Sequence, residues 1–156
     1  MSIDEEIKSS FKNEQHRVAV NLIYTSNWMI GSQALMLKRH GLTVPQYNVL
    51  RILRGQHPNP IRVNDIIERM LDKMSNASRL VDKLVEKKLV LRSACSADRR
   101  AVDVVIGKAG LDLLKRLDPI QDEFMNNLSS NLNVEETQTL SNLLDKMRNH
   151  QRIKPE

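Results

Sequence analysis

The 156-residue chain is short of several residue types: one cysteine, one tryptophan, two tyrosines, two phenylalanines and five glycines. A single cysteine forms no internal disulfide, and His16, His40, His57 and His150 lie too far apart for zinc-ligand spacing. Metal and cofactor chemistry is therefore not expected. No glycine-rich phosphate loop and no nucleophile spaced with a base stands out, so an enzyme is the weakest reading. No apolar run approaches the ~20 residues of a membrane helix. The opening "MSIDEEIKSS" is acidic and polar where a secretory signal is basic and then apolar. A cytoplasmic protein with no membrane partner is expected.

What remains is an ordinary globular composition, 40% hydrophobic and 28% charged, long enough for one domain with its own core. The net charge is +5, and its position says more than its size. Between residues 62 and 100 ten Lys and Arg stand against six acids, so this stretch alone carries four of the five excess charges. A concentrated positive surface suits a polyanion, although mixed charge on solvated helix faces produces the same count.

Apolar spacing predicts six helices. The first runs over about residues 5 to 39 and closes at His40-Gly41, where glycine takes a left-handed cap. Thr43-Val44-Pro45-Gln46 has the form of a capping box and opens the second, to about Arg54, with Tyr47, Leu50 and Leu53 on one face. Ile61 to Val63 is at most a very short strand. Asn64-Asp65 opens the third helix, with Ile66, Ile67 and Met70 as its buried stripe. After a break over about Leu71 to Met74, the fourth helix begins near Ser75, a good cap, and runs to about Lys88, its core stripe including Ala77, Val81 and Leu84. Leu89 to Ala94 and Val102 to Ile106 read as strands joined by the polar tip Cys95 to Arg100. A fifth helix follows Gly107, with a bend expected at Asp118-Pro119, and a sixth opens at Asn133. The order α-α-β-α-α-β-β-α-α is that of a winged helix-turn-helix with long terminal helices.

The stretches "SNASRLVDKLVEKKLV" and "SADRRAVDVVIGKAG" resemble the recognition helix, wing and fifth-helix start of the multiple-antibiotic-resistance regulator (MarR) family of bacterial transcription factors. The helix order agrees over nearly the whole chain. The resemblance implies a mainly α fold and one MarR-type domain over residues 1–156. Within it, residues 42–106 form the DNA-binding lobe, and residues 1–41 and 107–156 form the dimerisation helices. Two departures are visible. Gly107 follows Ile106 where the family usually has a Leu-Thr pair, which predicts a looser start to the fifth helix. Lys88 stands where the family often has glycine, which counts against a left-handed cap there.

On the recognition helix, Asn76 and Arg79 are best placed for base edges in the major groove. Ser75 and Ser78 are candidates for phosphate or bases, Lys83 for phosphate, and Lys73 for the backbone. Arg99 and Arg100 at the wing tip suit a narrow minor groove. Asp98 is out of place against phosphate unless, as the family's Asp-x-Arg pattern implies, it braces one of these arginines. Solvated charge on a helix and an ordinary charged turn are the bland alternatives. Phe11, Leu140, Leu143 and Met147 need burial by a second copy, and the resemblance implies a two-fold dimer of the first, fifth and sixth helices. Two recognition helices then lie one DNA turn apart over a roughly palindromic operator.

Family members often respond to phenolic or other amphipathic effectors. Tyr24, Trp28, Met36, Tyr47 and Arg51 are the candidate pocket residues, with plain core as the competing reading. Cys95, near Arg92, Arg99 and Arg100, admits a redox reading, but a lone cysteine beside a wing is more often incidental. The leading expectation is a ligand-responsive, DNA-binding repressor. The alternative is a dimeric winged-helix interaction module. The set Asn76, Arg79, Arg99 and Arg100 favours DNA, since a protein-binding face exposes aromatic or aliphatic anchors.

Overall fold

The computed structural model describes residues 1–94 and 102–149. They form α1 (Ile3–Ile7), α2 (Glu14–Lys38), α3 (Val44–Arg54), β1 (Ile61–Arg62), α4 (Val63–Arg69), α5 (Ala77–Glu86), β2 (Val90–Ala94), β3 (Val102–Ile106), α6 (Lys108–Ser129) and α7 (Val134–Arg148). The chain divides into two compact units, Met1–Arg116 and the part from Leu117 onward. The winged helix-turn-helix order lies wholly within the first.

One helix was expected over residues 5 to 39, and two are found. Lys8 takes a left-handed conformation (φ 50°) and ends α1, and Asn13 opens α2 by accepting a hydrogen bond from the His16 N–H at 2.9 Å. Ile7 and Phe11 keep helical spacing across the gap, so periodicity alone does not reveal it. The short α1 is fastened to α2: Arg17 pairs with Asp4 at 2.6 Å, and the Tyr24 hydroxyl donates to Glu6 at 2.9 Å. Ile3 is buried.

The end of α2 follows expectation. Gly41 is left-handed (φ 70°), its N–H donates to Lys38 O, and the Leu42 N–H reaches back to Leu37 O. This is a Schellman cap, sealed by two buried leucines. The capping box of α3 also forms, with Thr43 Oγ1 accepting from the Gln46 N–H at 3.3 Å and Gln46 Oε1 from the Thr43 N–H at 3.1 Å.

The sheet is antiparallel in the order β1-β3-β2, pairing Ile61 with Val104 and Val90 with Ile106. Val104 and Ile106 alternate inward. They are buried, as are Leu37, Leu50, Leu53, Ile66, Val81, Leu84 and Leu114, while α3 packs on α5 and on β3. Ile67, expected in the buried stripe of α4, is instead exposed, and only Ile66 and Met70 turn inward. α6 runs as one helix from Lys108 to Ser129 and carries Pro119 within it. Asn133 caps α7 in a capping box with Glu136.

Candidate nucleic-acid interface

The turn before α5 places the basic face. Asp72 organises it: its carboxylate accepts from the Met74 N–H at 2.9 Å and from the Ser75 hydroxyl at 2.6 Å. The hydroxyl bond, helped by the Met74 N–H, holds the Asp72 carboxyl below its ordinary value. Asn48 on α3 accepts from the Leu71 N–H at 3.0 Å and fastens the other end of the turn.

The Ser75 hydroxyl is already engaged by Asp72, so Ser75 is not the cap. Asn76 is, accepting from the Arg79 N–H at 3.0 Å, and the helix begins at Ala77 rather than at Ser75. It ends at Glu86, close to the expected end at about Lys88. Ala77, Val81 and Leu84 are buried, which leaves Asn76, Ser78, Arg79 and Lys83 exposed on the outer side. The Arg79 side chain has no hydrogen-bond or ion-pair partner among the described residues.

Neighbouring cations are engaged. Lys73 donates to the carbonyls of Ile67 (3.2 Å) and Glu68 at the end of α4, where a cation complements the helix dipole. Lys83 pairs with Glu86 at 2.8 Å. That pair is exposed and contributes only ~0.3–0.5 kcal/mol, so it gives way readily to phosphate. Lys87 donates to Gly41 O and Gln46 Oε1, tying the end of α5 to the turn before α3. Arg92 on β2 pairs with Asp82 on α5, linking helix to wing strand. Sequence reading missed Asp72, Lys87 and the Asp82–Arg92 pair. The Asp-x-x-Ser spacing of Asp72 and Ser75 was the available signal for the first, and nothing linear signals the others.

Lys88 corrects an expectation. It is left-handed (φ 59°) although it is not glycine. Its N–H donates to Val85 O at 2.8 Å, and the Leu89 N–H donates to Leu84 O at 3.0 Å. The cap is again of Schellman type.

Cys95, Asp98, Arg99 and Arg100 lie outside the described residues. Of the expected pocket residues, Tyr47 is buried, and its hydroxyl accepts from Arg51 Nη1 at 2.9 Å, with the guanidinium carbon 5.8 Å from the ring centroid. Tyr24 and Trp28 are exposed and Met36 is half-buried. Tyr24 is engaged by Glu6, and that hydrogen bond raises its pKa. Among the described residues no group of three His, Cys, Asp or Glu could hold a metal ion, and no helix is long and apolar enough to cross a membrane.

Two short helices packed around a capped turn, followed by an antiparallel hairpin that pairs with a third short strand, define a winged helix-turn-helix protein. A family model described as MarR family matches residues 40–101. The transcriptional regulator MhqR of Bacillus subtilis is 27% identical over 111 residues, 71% of this chain and 75% of that protein. The S. aureus MepR–DNA complex superposes with a TM-score of 0.76 at 25% identity, covering 83% of this chain and 94% of MepR. A MarR variant of E. coli solved with operator DNA shares the fold, with a TM-score of 0.77 at 22% identity over 89% of this chain and 99% of that one. The chain is thus a winged helix-turn-helix protein similar to MarR-family transcriptional regulators, with the family match lying over residues 40–101.

Proposed function

We propose that the protein is a dimeric repressor that binds a roughly palindromic operator and is released by an amphipathic or phenolic effector. The observation that carries the DNA-binding part is the outer side of α5, where Arg79 is exposed and unpartnered among the described residues while Lys73 and Arg92 near it brace the fold. A guanidinium held ready on the first turn of such a helix suits the O6 and N7 acceptors of guanine. Asn76 commits its oxygen to the cap and offers DNA its amide nitrogen. Ser75, Ser78 and Lys83 are proposed phosphate or base contacts. Lys73 reaches phosphate only by leaving the α4 carbonyls. On the sequence pattern, Arg99 and Arg100 enter the minor groove and Asp98 braces one of them.

The dimer reading rests on uncovered apolar surface. No residue of α7 is buried, and Leu140, Leu143 and Met147 are each about half exposed along one side of it. On α2, Ile23, Trp28, Ile30 and Leu35 are exposed as well. The effector site is proposed around Tyr24, Trp28, Met36, Tyr47 and Arg51, the last two already joined by a hydrogen bond.

The test is selection of bound fragments from genomic DNA by the purified protein, followed by anisotropy titration and sedimentation. A dimer that selects a repeated half-site supports the proposal. A stable monomer at micromolar concentration refutes the paired-helix geometry, and no binding at low salt refutes operator binding and leaves the interaction-module reading.

A further inference from the structure

At Leu89 the end of α5, the start of the wing and the first turn of α6 meet on the backbone of one residue. Its N–H closes the α5 cap on Leu84 O at 3.0 Å, and its carbonyl accepts from the Gly107 N–H at 2.9 Å, directly before α6. One helical step further, Gly110 has no side chain, and here that is a requirement. A methyl at position 110 would overlap the Leu89 carbonyl oxygen and lie 2.8 Å from Ile106 Cγ1. A methyl at Gly107 would only reach ordinary contact, 3.4 Å from the same oxygen. The first turn of α6 therefore lies directly against the backbone that ends α5, with no side-chain layer to absorb relative movement.

We infer that Gly110 and the Leu89 carbonyl are positioning groups for operator recognition: their contact fixes the orientation of α5 to the first turn of α6, so that a shift of α6 is passed to the DNA-reading face. The inference rests on the DNA-binding reading above and names the route by which that site is regulated. A side-chain layer at this junction would let α6 move while α5 stayed still. Direct backbone contact makes the two move together.

The experiment compares wild type, Gly110→Ala and Gly107→Ser on two DNAs: the fragment most enriched by the wild-type protein from a random pool, and its scrambled counterpart. Gly110→Ala is expected to lower the ratio of selected to scrambled affinity by about tenfold, the loss of roughly one good base contact. Its affinity for scrambled DNA and the salt slope should stay within about twofold of wild type, because phosphate contacts tolerate small reorientation. Gly107→Ser keeps the ratio. Adding Ile106→Ala to Gly110→Ala removes both Cγ1 and Cδ1 but leaves the carbonyl overlap in place, so the ratio stays low. Its recovery would mean overpacking against Ile106 and would overturn the inference. A folded Gly110→Ala protein with the wild-type ratio would overturn it too, as would parallel loss on both DNAs. If Gly110→Ala does not fold, an ester oxygen replacing the Gly107 N–H removes the hydrogen bond to Leu89 O without adding an atom. The same fall in ratio is then expected, and an unchanged ratio refutes the inference. A wild-type protein that enriches no sequence fails at the first step and refutes the DNA-binding reading itself.

Discussion

Replacing Lys88 by glycine should stabilise the protein. Lys88 holds φ 59° in the cap that ends α5, a conformation in which a Cβ crowds the following carbonyl. That crowding costs about 1–2 kcal/mol for a residue other than glycine. Against this, glycine is freer in the unfolded chain, which offsets about 0.5–1 kcal/mol. The Lys88 side chain is exposed, so its loss removes little packing. The net gain expected is about 0.5–1 kcal/mol, or about 2–4 °C in Tm for each kcal/mol in a domain of this size. Thermal and urea unfolding at one fixed protein concentration reads it, fixed because assembly would move Tm by mass action. Lys88→Ala is the control: it keeps the Cβ and should stay near wild type. A glycine variant that is less stable than the alanine variant would refute the reasoning, because relief of crowding is the only difference favouring it.

Asn76→Ala should destabilise by about 1 kcal/mol through loss of the α5 cap, while Asn76→Asp keeps the cap and stability but weakens DNA binding by presenting a negative charge to phosphate. Denaturation and anisotropy on the same two variants separate these effects, and an Asn76→Ala protein as stable as wild type contradicts the cap. Asp72 titrates below its ordinary value because it accepts from Ser75 and Met74. Its contribution to the turn is therefore fully present above the unfolded-state pKa and is lost as pH falls through the lowered folded value. Carboxyl NMR titration should place its midpoint below that of an ordinary aspartate, and Ser75→Ala should move it upward. No upward movement would show that the hydroxyl does not set the turn.

Much of the architecture was legible because local signals agreed with tertiary packing. His40-Gly41 and the Thr43–Gln46 box mark both sides of one turn, and both formed as read. Failures came where two local signals competed. Ser75 and Asn76 are both good caps, and what decides between them is Asp72, which engages the Ser75 hydroxyl. The gap between Ile7 and Phe11 was hidden because apolar spacing ran across it, and the helix instead yields to left-handed Lys8 and the Asn13 cap. At Lys88 the family pattern misled: two backbone hydrogen bonds hold lysine in a glycine-like conformation. Within the candidate site, the exposed side of α5 was readable from periodicity. Which cations face outward was not, since Lys73, Lys87 and Arg92 find partners on other elements. Gly110 has no linear signature, because its role is set by a carbonyl twenty-one residues earlier.

The most direct measurement is the operator affinity and base preference of Arg79→Ala, read by anisotropy against the selected fragment and single-base variants of it. If the exposed side of α5 reads DNA, the substitution should cost about 1–3 kcal/mol and relax preference at one base pair in each half-site, with the fold unchanged. Equal affinity and unchanged preference at every position would contradict the assignment of α5 as the recognition helix.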